Sequence, residues 1–172
     1  MARYRRFDTT PAGGVQVGNL APPQLEDVRA RRAGLKSVMS NLELALAEPA
    51  PGRAVEWTIG VRDALRDVHD MWTRHIVETE APGAFLDELV TEAPRLATPA
   101  THLRREHSEI LATVVRAEKQ LEVAPLGSET YEEWVEATRH ELTKLLAALA
   151  RHRQRGADLV FEAYHTDIGG GF

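Results

Sequence analysis

The chain has 172 residues, a net charge of -5, 43% hydrophobic and 27% charged residues, and no cysteine. That length suits one domain with a sizeable core. The cysteine count excludes disulfides, thiol catalysis and cysteine-ligated zinc or iron–sulfur sites, so any metal must be held by His, Asp, Glu or Tyr. Acids and bases alternate along the chain, which leaves no electrostatic footprint for nucleic acid beyond Arg3, Arg5 and Arg6. No apolar run approaches the roughly 20 residues of a membrane span. Nor does the N-terminus read as a secretory signal, so a cytoplasmic location is expected.

In chain order, residues 1–21 read as a flexible arm punctuated by Pro11, Gly13 and Gly14. Pro22-Pro23 opens a first helix carrying Leu25, Val28, Leu35, Val38, Met39, Leu42, Leu44 and Leu46, which breaks at Pro49–Gly52. A second helix is expected from Arg53 to Glu80. Its buried stripe would be Val55, Ile59, Leu65, Val68, Trp72, Ile76 and Thr79, with a stop at Ala81-Pro82-Gly83. Phe85–Val90 predicts a short amphipathic turn. Thr98-Pro99 predicts the start of a third long helix, N-cap then proline, running to Val123 and burying Leu103, His107, Ile110, Leu111, Val114 and Leu121. After Pro125-Leu126-Gly127, Ser128 is a second N-cap candidate. The last helix buries Trp134, Leu142, Leu145, Leu146, Leu149, His152, Leu159, Val160 and Ala163. Residues 167–172 form a glycine-rich tail. Four amphipathic helices without a strand predict an all-α, antiparallel up-and-down four-helix bundle over residues 22–166.

Three histidines lie on the apolar faces of successive helices: His75, His107 and His152. A neutral imidazole is the commonest metal ligand and tolerates burial when hydrogen-bonded. His75 is six residues before Ala81 and His107 eight beyond Pro99. At about 1.5 Å per residue their depths, roughly 9 and 12 Å, match. His152 fits less well, with roughly 12 Å of offset from His107 unless the last helix begins late or packs with a stagger. Glu78 shares the face of His75, Glu106 precedes His107, and Glu80 could be aimed inward because its helix ends there. The expected metal ligands are therefore His75, Glu78, Glu106, His107 and His152, with Glu106 alternatively an outer partner that orients an imidazole. A hydrogen-bonded histidine core without metal is the competing reading.

These residues resemble the hemerythrin-like (HHE cation-binding) family over residues 24–166. The matching segments are His75-Ile76-Val77-Glu78-Thr79-Glu80-Ala81-Pro82, Glu106-His107 followed by Ile110 and Leu111, and His152 behind its leucine stripe. The resemblance implies an iron-holding bundle that binds or senses oxygen, peroxide or nitric oxide. The sequence also departs from the pattern. No histidine precedes His69, Thr79 stands where a glutamate is expected, and Gly156 and Ala157 replace an acid. A full di-iron site, a single-ion site, a rearranged site using His69, Asp158 or Tyr164, and a metal-free bundle acting as an interaction or regulatory module all stay open.

Gly156 lies one turn beyond His152 inside a strong helix, where glycine costs about 1 kcal/mol relative to alanine. A close helix–helix contact is the expectation, with room beside a ligand as the alternative. Arg155 and Asp158 are expected to pair. Glu162-Ala163-Tyr164-His165 is a lone E-x-x-H where ferritin-like sites need two. His140 is expected to face solvent, and Gly169–Gly171 lacks the context of a phosphate loop.

Overall fold

The computed structural model describes the backbone of residues 22–165 and the side chains of residues 33–163. The arm, the glycine-rich tail, and the side chains of Leu25, Val28, Tyr164 and His165 lie outside the described residues. Five α-helices follow in order: α1 (Pro22–Ala47), α2 (Ala54–Glu80), α3 (Phe85–Glu92), α4 (Ala97–Glu122) and α5 (Tyr131–His165), with a 3-10 turn at Pro94–Leu96. Among the described residues there is no strand. The helix α1 packs on α2, α2 on α4, α4 on α5, and α5 back on α1, closing a four-helix ring. The short α3 lies against α2 and α4. No described helix is long and apolar enough to cross a membrane.

Local sequence explains the connections. At both Ala50–Arg53 and Ala81–Ala84 the fourth amide donates to the first carbonyl, at 3.0 and 2.7 Å. Proline holds the second position of each turn, and glycine the third, with φ of 73° for Gly52 and 74° for Gly83. A proline followed by a left-handed residue is the signature of a type II turn, and only glycine takes that conformation without a Cβ penalty. The second of these turns reverses the chain immediately after Glu80 and so fixes where that carboxylate ends up.

Two helix starts differ from expectation. The helix α4 begins at Ala97, not after Thr98, because the 3-10 turn from Pro94 already bends the chain and Leu96 takes the cap position without a side-chain bond. Pro99 then sits in the first turn, where an amide donor is not needed. The helix α5 begins at Tyr131. Ser128 lies before it in a turn, its hydroxyl accepting from the Thr130 amide at 3.2 Å. Phe85–Glu92 is a true two-turn helix, held by Asp87, which accepts from the Gly83 amide and from Arg104.

The core divides in two. The larger part contains Leu35 and Leu42 of α1, Val61, Leu65, Val68 and Trp72 of α2, Ile110 and Val114 of α4, and Leu142, Leu145 and Leu149 of α5. A smaller part joins Leu86 and Leu89 of α3 to Leu96, Ala100 and Leu103, and to Leu159 of α5. His107 falls between Leu103 and Ile110, and His152 between Leu149 and Leu159. The histidines therefore occupy the seam between two apolar clusters.

Three residues expected in the core are exposed: Leu44, Val55 and Ile59. At about 100° per residue, Leu44 lies roughly 160° around from Leu42, while Val55 and Ile59 lie roughly 140° and 180° from Val68. Trp57, Val61 and Ala64 take the inward places on α2 instead. Gly34 marks a close approach of α1 to α2, since a Cβ there would meet Met71 Cε at 3.0 Å.

Candidate metal centre

The helices bring His75, His107 and His152 together, with one ring nitrogen from each within 4.8 Å of the others. His75 comes from the last turns of α2, His107 from the first half of α4, and His152 from the second half of α5. The late start of α5 closes only a small part of the offset expected for His152. His107 stands fifteen residues from the end of α4 and His152 twenty-one from the start of α5, so roughly 9 Å is left to a stagger of the two helices and to the path of their connection. His107 and His152 are 2% and 3% exposed, so neither imidazole can satisfy its nitrogens with bulk water.

The Nε2 atoms face one another. His152 Nε2 lies 3.1 Å from His107 Nε2 and 3.3 Å from His75 Nε2. The Nδ1 atoms of His107 and His152 face carboxylates. His107 Nδ1 contacts Glu80 Oε1, and His152 Nδ1 lies 3.0 Å from Glu106 Oε2. Glu106 is itself gripped by Arg155, whose Nε is 2.7 Å from Oε1. Trp72, fully buried, forms the floor: it stacks on His75, meets His107 and His152 edge-on, and donates its indole N–H to the His107 carbonyl at 3.2 Å.

Burial dominates the titration of the imidazoles. It pushes His107 below the ordinary histidine value, against the pull of Glu80. Burial and the neighbouring His107 take His152 to about 4, despite Glu106. Burial alone would raise Glu106. The Arg155 guanidinium and the hydrogen bond from His152 outweigh it and leave that carboxyl below the usual range. Glu106 is consequently an ionised acceptor, and His152 must present its proton at Nδ1 and its lone pair at Nε2.

No family model matches this chain, and no curated protein or solved structure does. The centre must therefore be read from its own geometry.

That geometry places the expected site residues differently from one another. The three histidines converge and could hold a metal ion. Neither Glu78 nor Glu106 belongs to the convergent group. Glu106 takes the outer position on His152, and Glu80, rather than Glu78, makes the equivalent contact on His107. Asp158 is exposed and accepts from Gln154 at 2.8 Å, while its expected partner Arg155 reaches across to Glu106. Three residues apart on a surface gains little. A half-buried carboxylate on a neighbouring helix gains more.

His69 pairs with Glu118 at 2.9 Å, away from the three histidines. His140 faces solvent as expected. At Gly156 the expected helix–helix contact is absent: a Cβ there would meet nothing within 4 Å. Sequence reasoning missed Trp72 as part of the site and Arg155 as its anchor. The stacking of Trp72 was legible only as an apolar position three residues before His75, and nothing in the α5 sequence marks Arg155 as reaching inward.

Proposed function

We propose that the chain is a metal-binding helical bundle whose single ion is held by the Nε2 atoms of His75, His107 and His152. The observation that carries this reading is the 3.1 Å separation of the Nε2 atoms of His107 and His152, whose Nδ1 atoms are both on carboxylates. Glu106 fixes the tautomer of His152, and Glu80 does the same for His107, so each Nε2 is an acceptor. Two acceptors at that distance repel unless a cation lies between them. Burial disfavours a proton in that role, which leaves a metal ion. A carboxylate bonded to the far nitrogen of a ligating histidine is the usual outer support of such a site, because it fixes the ring and raises its basicity.

The pairing of residues supports an antiparallel up-and-down arrangement. The end of α2 meets the first half of α4 at the histidines, and the first half of α4 meets the second half of α5 there. Such an arrangement, with inward histidines, agrees with the hemerythrin-like resemblance. The two-iron centre that the resemblance implies does not fit the residues present. There is no histidine on α1, Thr79 uses its hydroxyl on the His75 carbonyl at 2.8 Å, and Gly156 offers no donor. The donors present suit one ion.

Metal analysis tests the reading. Protein purified from cells supplied with iron, manganese and zinc should carry close to one metal ion per chain, lost on chelation and in His107→Ala. Metal-free protein whose thermal stability ignores all three ions would sink it, leaving a hydrogen-bonded bundle that acts through its surface.

A further inference from the structure

We infer that the three-imidazole centre selects one four-coordinate ion of the zinc class over iron and manganese, with its fourth position open to a small ligand in the gap beside Gly156. This rests on the metal reading above and names the ion and the opening.

The donor set decides the ion. Both neighbouring carboxylates are committed to Nδ1 atoms, and in each case the imidazole ring stands between the carboxylate and the point where the Nε2 lone pairs meet. Glu106 has its other oxygen on Arg155. Among the described residues the inner donors are three imidazole nitrogens and no oxygen. Manganese and iron(II) rank below zinc for nitrogen donors, and lean on carboxylate ligands that this arrangement withholds. Nitrogens about 2.0–2.1 Å from zinc, separated by angles near 100°, lie about 3.1–3.2 Å apart. The two separations from His152, 3.1 and 3.3 Å, fit that spacing, and all three nitrogens lie within 4.8 Å of one another. Three protein ligands leave one position to fill, as in zinc sites that keep an exchangeable ligand.

The opening follows from Gly156. It shares the inward face of α5 with His152, four residues earlier, and Leu159, three residues later. Leu159 packs into the smaller apolar cluster, and Leu149, on the other side of His152, into the larger one. Between them, a Cβ on Gly156 would find open space. Neither a positive φ nor a tight contact requires glycine there. The vacancy borders the histidines because side chains on a helix lean toward its N-terminus, so a side chain at 156 would point toward the level of His152. Gly156 is half-buried, so the space beside it suits a small ligand that a leucine side chain there would displace.

The test uses the full chain, stripped of metal and refilled. With equimolar zinc, iron(II) and manganese under anaerobic conditions, native mass spectrometry should find one zinc per chain. Cobalt(II) should give the intense visible bands of a four-coordinate ion, and thiocyanate should shift them. Gly156→Leu should keep the four-coordinate cobalt spectrum and lose the thiocyanate shift, whereas Gly156→Ala should retain both. Retention of iron or manganese against zinc, two ions per chain, or the weak spectrum of six-coordinate cobalt would overturn the inference while leaving the metal reading intact. An unchanged thiocyanate shift in Gly156→Leu would overturn the placement of the opening. Failure of every ion to bind would overturn the metal reading itself.

Discussion

The bundle buries polar groups at two levels, and they are arranged in different ways. Near the start of α2 and α5, Tyr131 donates to the Ala54 carbonyl at 2.8 Å, as does the Thr58 hydroxyl, and the two hydroxyls are 3.1 Å apart. Trp57 and Trp134 meet edge-on beside them, with the Arg139 guanidinium over the Trp57 ring. There two hydroxyl donors share one carbonyl acceptor, and the buried Trp57 indole N–H beside them has no partner. At the histidine level the donors point outward to Glu80 and Glu106, and the acceptors point at each other. Hydroxyls that close on a carbonyl contribute stability and register. A polar cluster that turns its lone pairs toward a common point is prepared for a cation.

Substitutions can break this contrast, and the largest effect belongs to the proposed ligands. His107→Ala or His152→Ala should abolish stoichiometric metal binding in equilibrium dialysis, while Tyr131→Phe leaves it intact. Loss of metal in Tyr131→Phe, with the fold preserved, would erase the distinction between the two levels.

Removing an outer carboxylate should have a smaller consequence. Glu106→Gln keeps the shape but weakens the hold on the His152 tautomer, and metal affinity should fall about 10–100-fold by competition with a chromophoric chelator. Unchanged affinity would mean that the His152 orientation does not depend on Glu106.

Acid provides a third probe. In the metal-free protein His152 titrates near 4 against an ordinary 6.5, and His107 is lowered too. Below about pH 6.5 the unfolded chain takes up protons that the folded chain refuses. Stability present above that value is therefore lost as the pH falls toward 4, at up to about 1.4 kcal/mol per pH unit for each proton. Denaturant titrations of the metal-free chain should show this decline, and His152→Phe should flatten it. A flat wild-type profile across that window would show that the imidazoles are not buried in neutral form.

The smallest effects are single groups. Tyr131→Phe should cost about 1 kcal/mol from one lost hydrogen bond. Gly156→Ala should gain up to about 1 kcal/mol, because the helix prefers alanine and the Cβ has room. A loss of stability in Gly156→Ala would place packed atoms where the structure has a gap.

How much of this was legible in the sequence depends on range. The four long helices, the Pro-Gly stops and the inward His107 and His152 follow from periodicity, which is local. The mutual depth of His75 and His107 followed from the ends of their own helices, which the proline and glycine stops mark to within two residues, although α3 and the 3-10 turn lie between α2 and α4. The depth of His152 did not, because a two-residue error in where α5 begins shifts it by about 3 Å. Glu80 was foreseeable only as an end-of-helix residue; the turn at Pro82 and Gly83 is what delivers it to His107. Arg155 belonged, by spacing, to Asp158. Its pairing with Glu106 depends on which faces of α4 and α5 meet, and no one-dimensional pattern encodes that. Val55 and Ile59 failed for a simpler reason: two apolar residues at helical spacing fit a stripe whichever side it faces.

The central claim is most directly tested by a crystal structure of the zinc-loaded chain, with anomalous scattering collected on both sides of the zinc edge. The expected result is one anomalous peak about 2.0–2.1 Å from the Nε2 atoms of His75, His107 and His152, with Glu80 and Glu106 still on Nδ1. A peak bound through Glu78 or Glu106, or no peak among the three imidazoles, would contradict it.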